Sequence, residues 1–276
     1  MKKSIFVLGI VGISLLVALW AGTGLLSARQ PADGTAMSAA NRLAEAGNFA
    51  EAIQVYEGLV AREVQDSALF YNLGNAYYYQ GDLGRAILNY QRAVQLAPRD
   101  ADIRANLALA RAQAGDPFLA SPAGPLGILT DLTGRWLNIN DAAVLTLAFW
   151  FAAGALLLAR RFAGPSRAKD GLRYAALIAI LLVAVSGLSL GARVYAEHTL
   201  PEGIVIAPTV ALSSEPGNQY ATGYSLNGGT AVNILETQGD WARLAAPDDS
   251  IEGWIPLDSV ETVAGRQPDA GIFALL

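Results

Sequence analysis

The chain has 276 residues, 53% of them hydrophobic and only 16% charged, and this shortage of charge relative to soluble proteins points to a membrane. Cys is absent and His occurs once, so disulfide staples, thiolate zinc sites, Cys nucleophiles and multi-His metal centres are excluded, and no cofactor is expected. A net charge of −5 without a basic patch argues against nucleic acid as a partner, and the composition argues against disorder.

Lys2 and Lys3 precede an uncharged run from Ser4 to Ala28, which has the order of a secretory signal. Residues 1–28 therefore read as a signal peptide or, at this length, as an uncleaved signal anchor. Residues 33–116 repeat themselves with a period of 34: Gly47-Asn48-Phe49 aligns with Gly81-Asp82-Leu83, Ala52-Ile53 with Ala86-Ile87, and Tyr56 with Tyr90. In the second copy Phe70, Leu73, Gly74, Tyr77, Ala86, Tyr90, Ala93 and Pro98 stand at the spacing of the tetratricopeptide (TPR) signature, and the region resembles that family. The expected domain holds repeats at 33–66 and 67–100 and a capping helix at 101–114.

The resemblance implies a peptide groove lined by the first helix of each repeat. Carried over residue by residue, its positions are Met37 and Asn41, then Tyr71, Asn75 and Tyr78, then Ala105 and Leu109. Asn side chains can pair with peptide backbone and Tyr faces can cover apolar side chains. The cations with which some relatives clamp a terminal carboxylate are replaced by Met37, Asp102 and Asn106, so a free C-terminus is not the expected ligand. Neither Asn75 nor Tyr78 belongs to the packing signature. The alternative reading is that Tyr71, Tyr78 and Tyr79 pack between helices or against the following linker.

That linker, residues 117–141, carries Leu126, Leu129, Leu132 and Trp136 at helical spacing and reads as an interfacial helix. Residues 142–159 and 174–192 are uncharged and long enough to be transmembrane helices. The loop between them, 160–173, holds Arg160, Arg161, Arg167, Lys169 and Arg173 against Asp170, and the positive-inside rule places it in the cytoplasm. Both flanking regions are net acidic and are expected outside. Gly187-Leu188-Ser189-Leu190-Gly191 mimics a nucleophile elbow, but no strand precedes it; Gly187 reads instead as a packing position against a helix such as Ala152–Ala155. The single His198 is expected in solvent just outside the membrane.

Residues 203–263 change to short β-prone runs separated by Gly228-Gly229, Gln238-Gly239-Asp240 and Pro247-Asp248-Asp249. Asp240-Trp241-Ala242-Arg243-Leu244 followed by Gly253-Trp254-Ile255 resembles a bacterial SH3-like barrel, with Trp241 and Trp254 in its core. A tail, 264–276, follows. The fold class is thus a multidomain membrane protein: all-α TPR helical repeats, two transmembrane helices and a small all-β SH3-like barrel.

This order of modules resembles the E-type membrane protein of the bacterial Bat (aerotolerance) operons. The resemblance implies a non-enzymatic scaffold in the inner (cytoplasmic) membrane, multi-pass, with both soluble domains periplasmic or extracellular. Its implied partners are other proteins, among them membrane components of the same complex, which pairs von Willebrand-type domains with a MoxR-type ATPase. The lipid bilayer is the second partner. The alternative is a cell-wall-binding or stress-sensing anchor in which the barrel holds a cell-wall peptide.

Overall fold

The computed structural model describes residues 31–115, 138–164, 166–199, 201–217, 221–248 and 250–264. The signal segment, the interfacial helix with Trp136, the side chain of His198 and all but the first residue of the tail lie outside the described residues.

Five helices come first: α1 (Pro31–Glu45), α2 (Phe49–Val60), α3 (Ser67–Gln80), α4 (Leu83–Leu96) and α5 (Ala101–Ala114). Their ends repeat as their cores do. Gly47, Gly81 and Gly115, each 34 residues from the next, all adopt the left-handed conformation, with φ of +80°, +84° and +65°. A side chain there would be strained, and the glycine lets the chain turn directly after helices α1, α3 and α5. Asp66 and Asp100, also one period apart, cap α3 and α5 by accepting hydrogen bonds from Ala68 N (2.8 Å) and Asp102 N (3.0 Å).

Packing follows the same register. A Cβ added to Gly74 would stand 2.7 Å from the Tyr90 ring, so α3 and α4 approach only because that position carries no side chain. Leu73 and Ala76 of α3 pack on Ala52, Tyr56 and Leu59 of α2, and one period later Leu107 and Ala110 of α5 pack on Ala86, Ile87 and Tyr90 of α4. Each fully buried large side chain contributes about 1.5–3 kcal/mol of burial free energy.

Two long helices follow, α6 (Ile139–Phe162) and α7 (Ser166–Thr199), both long and apolar enough to cross a membrane. At 34 residues α7 runs about 51 Å, well beyond its apolar stretch. The connection expected over 160–173 is much shorter. Arg160 and Arg161 belong to the last turn of α6, and Arg167, Lys169 and Arg173 to the first turns of α7. Small side chains form the antiparallel seam, with Ala142, Ala153, Ala176, Ala179 and Ser189 buried. Gly187 does meet a partner helix, but its neighbour is Thr146, about two turns along α6 from Ala152–Ala155, because antiparallel packing pairs the end of α7 with the start of α6.

The described residues after α7 form seven strands: β1 (Glu202–Val205), β2 (Thr209–Ser213), β3 (Ala221–Asn227), β4 (Ala231–Gln238), β5 (Trp241–Ala245), β6 (Glu252–Pro256) and β7 (Val260–Thr262). They pair antiparallel in one sheet of order β3-β2-β6-β5-β4-β1-β7. Where a barrel is expected the sheet is open, since no ladder among the described residues joins β3 to β7. It nonetheless wraps one core, to which every strand contributes: Val205, Leu212, Leu226, Ile234, Leu244, Ile255 and Val260 among them. Trp241 and Trp254 are not part of that core. Strand alternation points Ala242, Leu244 and Ile255 inward and leaves both Trp residues on the outer face, where Trp254 is buried between Arg243 and Ser213.

The sheet is docked on the repeats. Strand β1 is buried on both faces, Val205 toward the sheet core and Ile204 toward the helices, which explains its unbroken Ile204-Val205-Ile206 run. Ile204, Ala231 and Val263 join Ile87, Leu88, Leu107 and Ala110 in one cluster. Close backbone approach makes this possible: a Cβ on Gly84 of α4 would stand 2.8 Å from the Val205 carbonyl oxygen, and any side chain on Gly229 would run into Ile87. The sheet therefore covers α4 and reaches only Ala114 at the end of α5, whose outer face, with Ala105 and Leu109, stays exposed.

The hairpin joins the same unit. Asn138, which caps α6, donates from Nδ2 to the Leu96 carbonyl at 3.2 Å, and Asp141 pairs with Arg99 at 2.9 Å. Helix α7 leads into β1 across a two-residue link. Repeats and sheet thus stand together at one end of the hairpin, opposite its basic end.

Candidate functional site

The groove residues lie on α1, α3 and α5. Met37 is half-buried against the core of the first repeat, Tyr71 and Tyr78 are half-buried against the cluster around α4, and Ala105 and Leu109 are exposed, Leu109 to 52%. Tyr71 leans on Tyr90 with ring centroids 6.1 Å apart. Tyr79 is 68% exposed, stacks on Phe49 at 5.0 Å and meets Tyr78 edge-on at 5.8 Å. Tyr71 and Tyr78 pack against the neighbouring helices while a share of each surface stays open.

Asn41 and Asn75 do more than face a groove. The Oδ1 atom of Asn41 accepts from the Tyr56 hydroxyl at 2.7 Å and from Asn72 Nδ2 at 3.1 Å. One period on, Oδ1 of Asn75 accepts from the Tyr90 hydroxyl at 2.7 Å and from Asn106 Nδ2 at 3.1 Å. All three residues of the network shift by 34, so this is one device built twice. Asn106 also donates to the Tyr71 hydroxyl at 3.0 Å. Two donors fill both lone pairs of each Asn oxygen and fix the orientation of its amide. The Nδ2 groups of Asn41 and Asn75 bond to nothing among the described residues and are not sealed from solvent, so each remains a donor for something else.

Burial holds the phenols in their protonated, donating form. It raises Tyr56 to about 12, with the charge of Glu45 adding to the effect. Tyr90 is pushed up further, by burial first and then by Tyr71, Tyr78 and Tyr79. Tyr77 is raised likewise by burial and then by Glu57, to which its hydroxyl donates at 2.9 Å.

Sequence reasoning missed Asn72 as a network member and assigned Asn75 no packing role. The signal was present, because the 34-residue offset that pairs Tyr56 with Tyr90 also pairs Asn41 with Asn75 and Asn72 with Asn106. Arg92 left no such signal, since the first repeat has Gly58 in its place. Its guanidinium is buried at the junction with the sheet, donating to the carbonyl oxygens of Val263 (3.1 Å) and Thr262 (2.8 Å) and pairing with Glu261 (2.7 Å).

Against this geometry, two family descriptions match the chain: a tetratricopeptide repeat over residues 37–87 and a TPR repeat over residues 74–115. The α1–α5 array is built of TPR repeats. No curated protein matches the chain. TPR arrays are protein-interaction modules.

A second polar cluster sits where the TPR array meets the sheet. Arg111 donates to Gln91 Oε1 at 3.1 Å, and Gln91 reaches Glu202 at 3.5 Å. Burial raises the Glu202 carboxyl, against the lowering influence of Arg111 and the Gln91 hydrogen bond. Above its ordinary value of 4.5, the folded protein holds a proton that the unfolded chain releases. The stabilisation is therefore full below that value and is lost as pH rises through the raised one. Glu202→Gln should melt higher than wild type at neutral pH and should lose the part of the acid-side pH dependence that belongs to this group. Identical pH profiles for the two proteins would sink this assignment.

Proposed function

We propose that the protein is a non-enzymatic, membrane-anchored scaffold that holds partner proteins in the TPR groove on the outer side of the bacterial inner membrane. The observation that carries this reading is the doubled Tyr–Asn–Asn network, which orients two side-chain amides one repeat apart and leaves a free donor on each. A peptide backbone supplies the matching carbonyls, while Tyr71, Tyr78 and Leu109 offer apolar cover. The seven groove positions carry no charge and the clamp position Asp102 is acidic, which favours an internal, uncharged segment over an acidic C-terminus. An SH3-like character of the sheet fits its small size and its Trp motifs, but one side of it is occupied by the repeats, so recognition is assigned to the groove. The order of modules supports a place in a Bat/MoxR-type envelope stress or aerotolerance complex.

Leu109→Glu tests the groove without touching the network. Placing a charge in a neutral binding surface should weaken partner capture by roughly 100-fold, because a few kcal/mol of apolar contact are lost. The melting temperature should not change. Crosslinking in native membranes, followed by identification of the captured proteins, reads the outcome; wild-type capture by the variant would move the working surface elsewhere.

The orientation rests on the basic hairpin end lying opposite the acidic soluble unit. A chain without Cys permits single-site labelling. Ser166→Cys should be protected from an impermeant maleimide in intact spheroplasts, and Thr209→Cys, exposed at the start of β2, should react. Reaction at 166 alone would invert the topology.

A further inference from the structure

We propose that the basic end of the α6–α7 hairpin is a binding site for the phosphate headgroups of anionic phospholipids, an inference that rests on the hairpin spanning the membrane. Arg160, Arg161, Arg167, Lys169 and Arg173 are all exposed, and none forms an ion pair among the described residues. They come from two adjacent helix ends joined by residues 163–165, so the hairpin concentrates them in one place. Apolar side chains begin at once beside them: Phe162 is 80% and Tyr174 64% exposed, with Leu157, Leu158 and Leu177 in the next turns.

This adjacency selects the ligand. Cations within a helical turn of hydrocarbon-facing side chains stand at the depth of lipid phosphates, and Tyr174 suits the same interfacial level. An acidic protein would find little to hold, because the surface beyond the apolar stretches is the last turn of α6 and the first two turns of α7, about 12 Å of helix. Five unpaired cations against a single acid, Asp170, complement a cluster of phosphodiesters. Arg can take two phosphate oxygens at once, which suits four of the five positions.

The test uses the full chain in vesicles of equal phosphatidylcholine and phosphatidylglycerol, solubilised gently, with retained lipid counted by mass spectrometry. Each interfacial cation favours anionic lipid by about fivefold, so wild type should retain phosphatidylglycerol in clear excess, about fivefold or more. Arg160→Gln/Arg161→Gln/Arg167→Gln/Lys169→Gln/Arg173→Gln should bring the ratio close to one. The corresponding Arg→Lys variant should keep most of the excess, and salt at about 0.5 M should remove it. An even ratio in wild type, or an excess that survives in the Gln variant, overturns the proposal. Displacement of the lipid by inorganic phosphate would reassign the site to a soluble anion. Release of the chain from vesicles by alkaline carbonate would overturn the membrane reading itself, and this proposal with it.

Discussion

Replacing Arg92 with Met is expected to lower the stability of the joined TPR–sheet unit by about 2–4 kcal/mol, the largest single effect anticipated here. The guanidinium is 7% exposed, lies over the Phe70 ring at 5.8 Å and fastens the end of β7 through Val263, Thr262 and Glu261. Met preserves the aliphatic stem and its packing, so the loss measures the polar clamp. Glu261 is half-open to solvent and can rehydrate, whereas the carbonyl oxygens that Arg92 served lie in buried surroundings and account for most of the cost. Arg92→Lys should recover only part, because an ammonium cannot reproduce the planar fork. Thermal melting of the full chain in detergent, with limited proteolysis at the sheet as a second probe, reads the effect. A wild-type midpoint for Arg92→Met would show that the apolar cluster alone holds the junction.

Asn75→Ala is expected to cost about 2–3 kcal/mol, although the residue is only half-buried. Its oxygen is the shared acceptor for Tyr90, which is 1% exposed, and for Asn106. Removing it strands a buried hydroxyl. Tyr90→Phe removes that donor instead and should cost only about 1 kcal/mol, since the Asn75 oxygen keeps Asn106 and can reach water. Combining the two changes should cost less than their sum, because the phenol no longer needs an acceptor. Additive losses would refute the shared network. The consequence for function is practical: loss of partner binding on Asn75→Ala would mix unfolding with recognition, whereas Leu109→Glu separates them.

The repeats were legible because both their cores and their turns obey one 34-residue offset. Tyr56 and Tyr90, Ala52 and Ala86, and the three turn glycines had to recur together, since each unit buries its face on the next. The hairpin was legible from uncharged length, although its ends were not: α6 and α7 continue through the arginines because neither Arg160–Phe162 nor Ser166–Arg173 contains Pro, and the single Gly171 costs the helix only about 1 kcal/mol. The barrel reading failed in two particulars. The sheet is open, with no ladder among the described residues joining β3 to β7, and the Trp residues that the resemblance put in the core stand on the other face of β5 and β6. Aliphatic Leu244 and Ile255 fill it instead.

The sequence by itself determined the kinds and order of the elements, the repeat register and the separation of acidic flanking regions from a basic hairpin end, because periodicity and charge are local properties of the chain. Only the tertiary structure decided that sheet and repeats form one unit. That junction depends on Gly84 and Gly229 letting backbones meet, on Ile204 facing away from its own sheet, and on Arg92 reaching residues more than 160 positions away. Such contacts have no period and no neighbour in sequence, so only their meeting in space reveals them. The groove shows the same division: its positions follow from the repeat, but the commitment of Asn41 and Asn75 to buried tyrosines follows from how closely the helices pack.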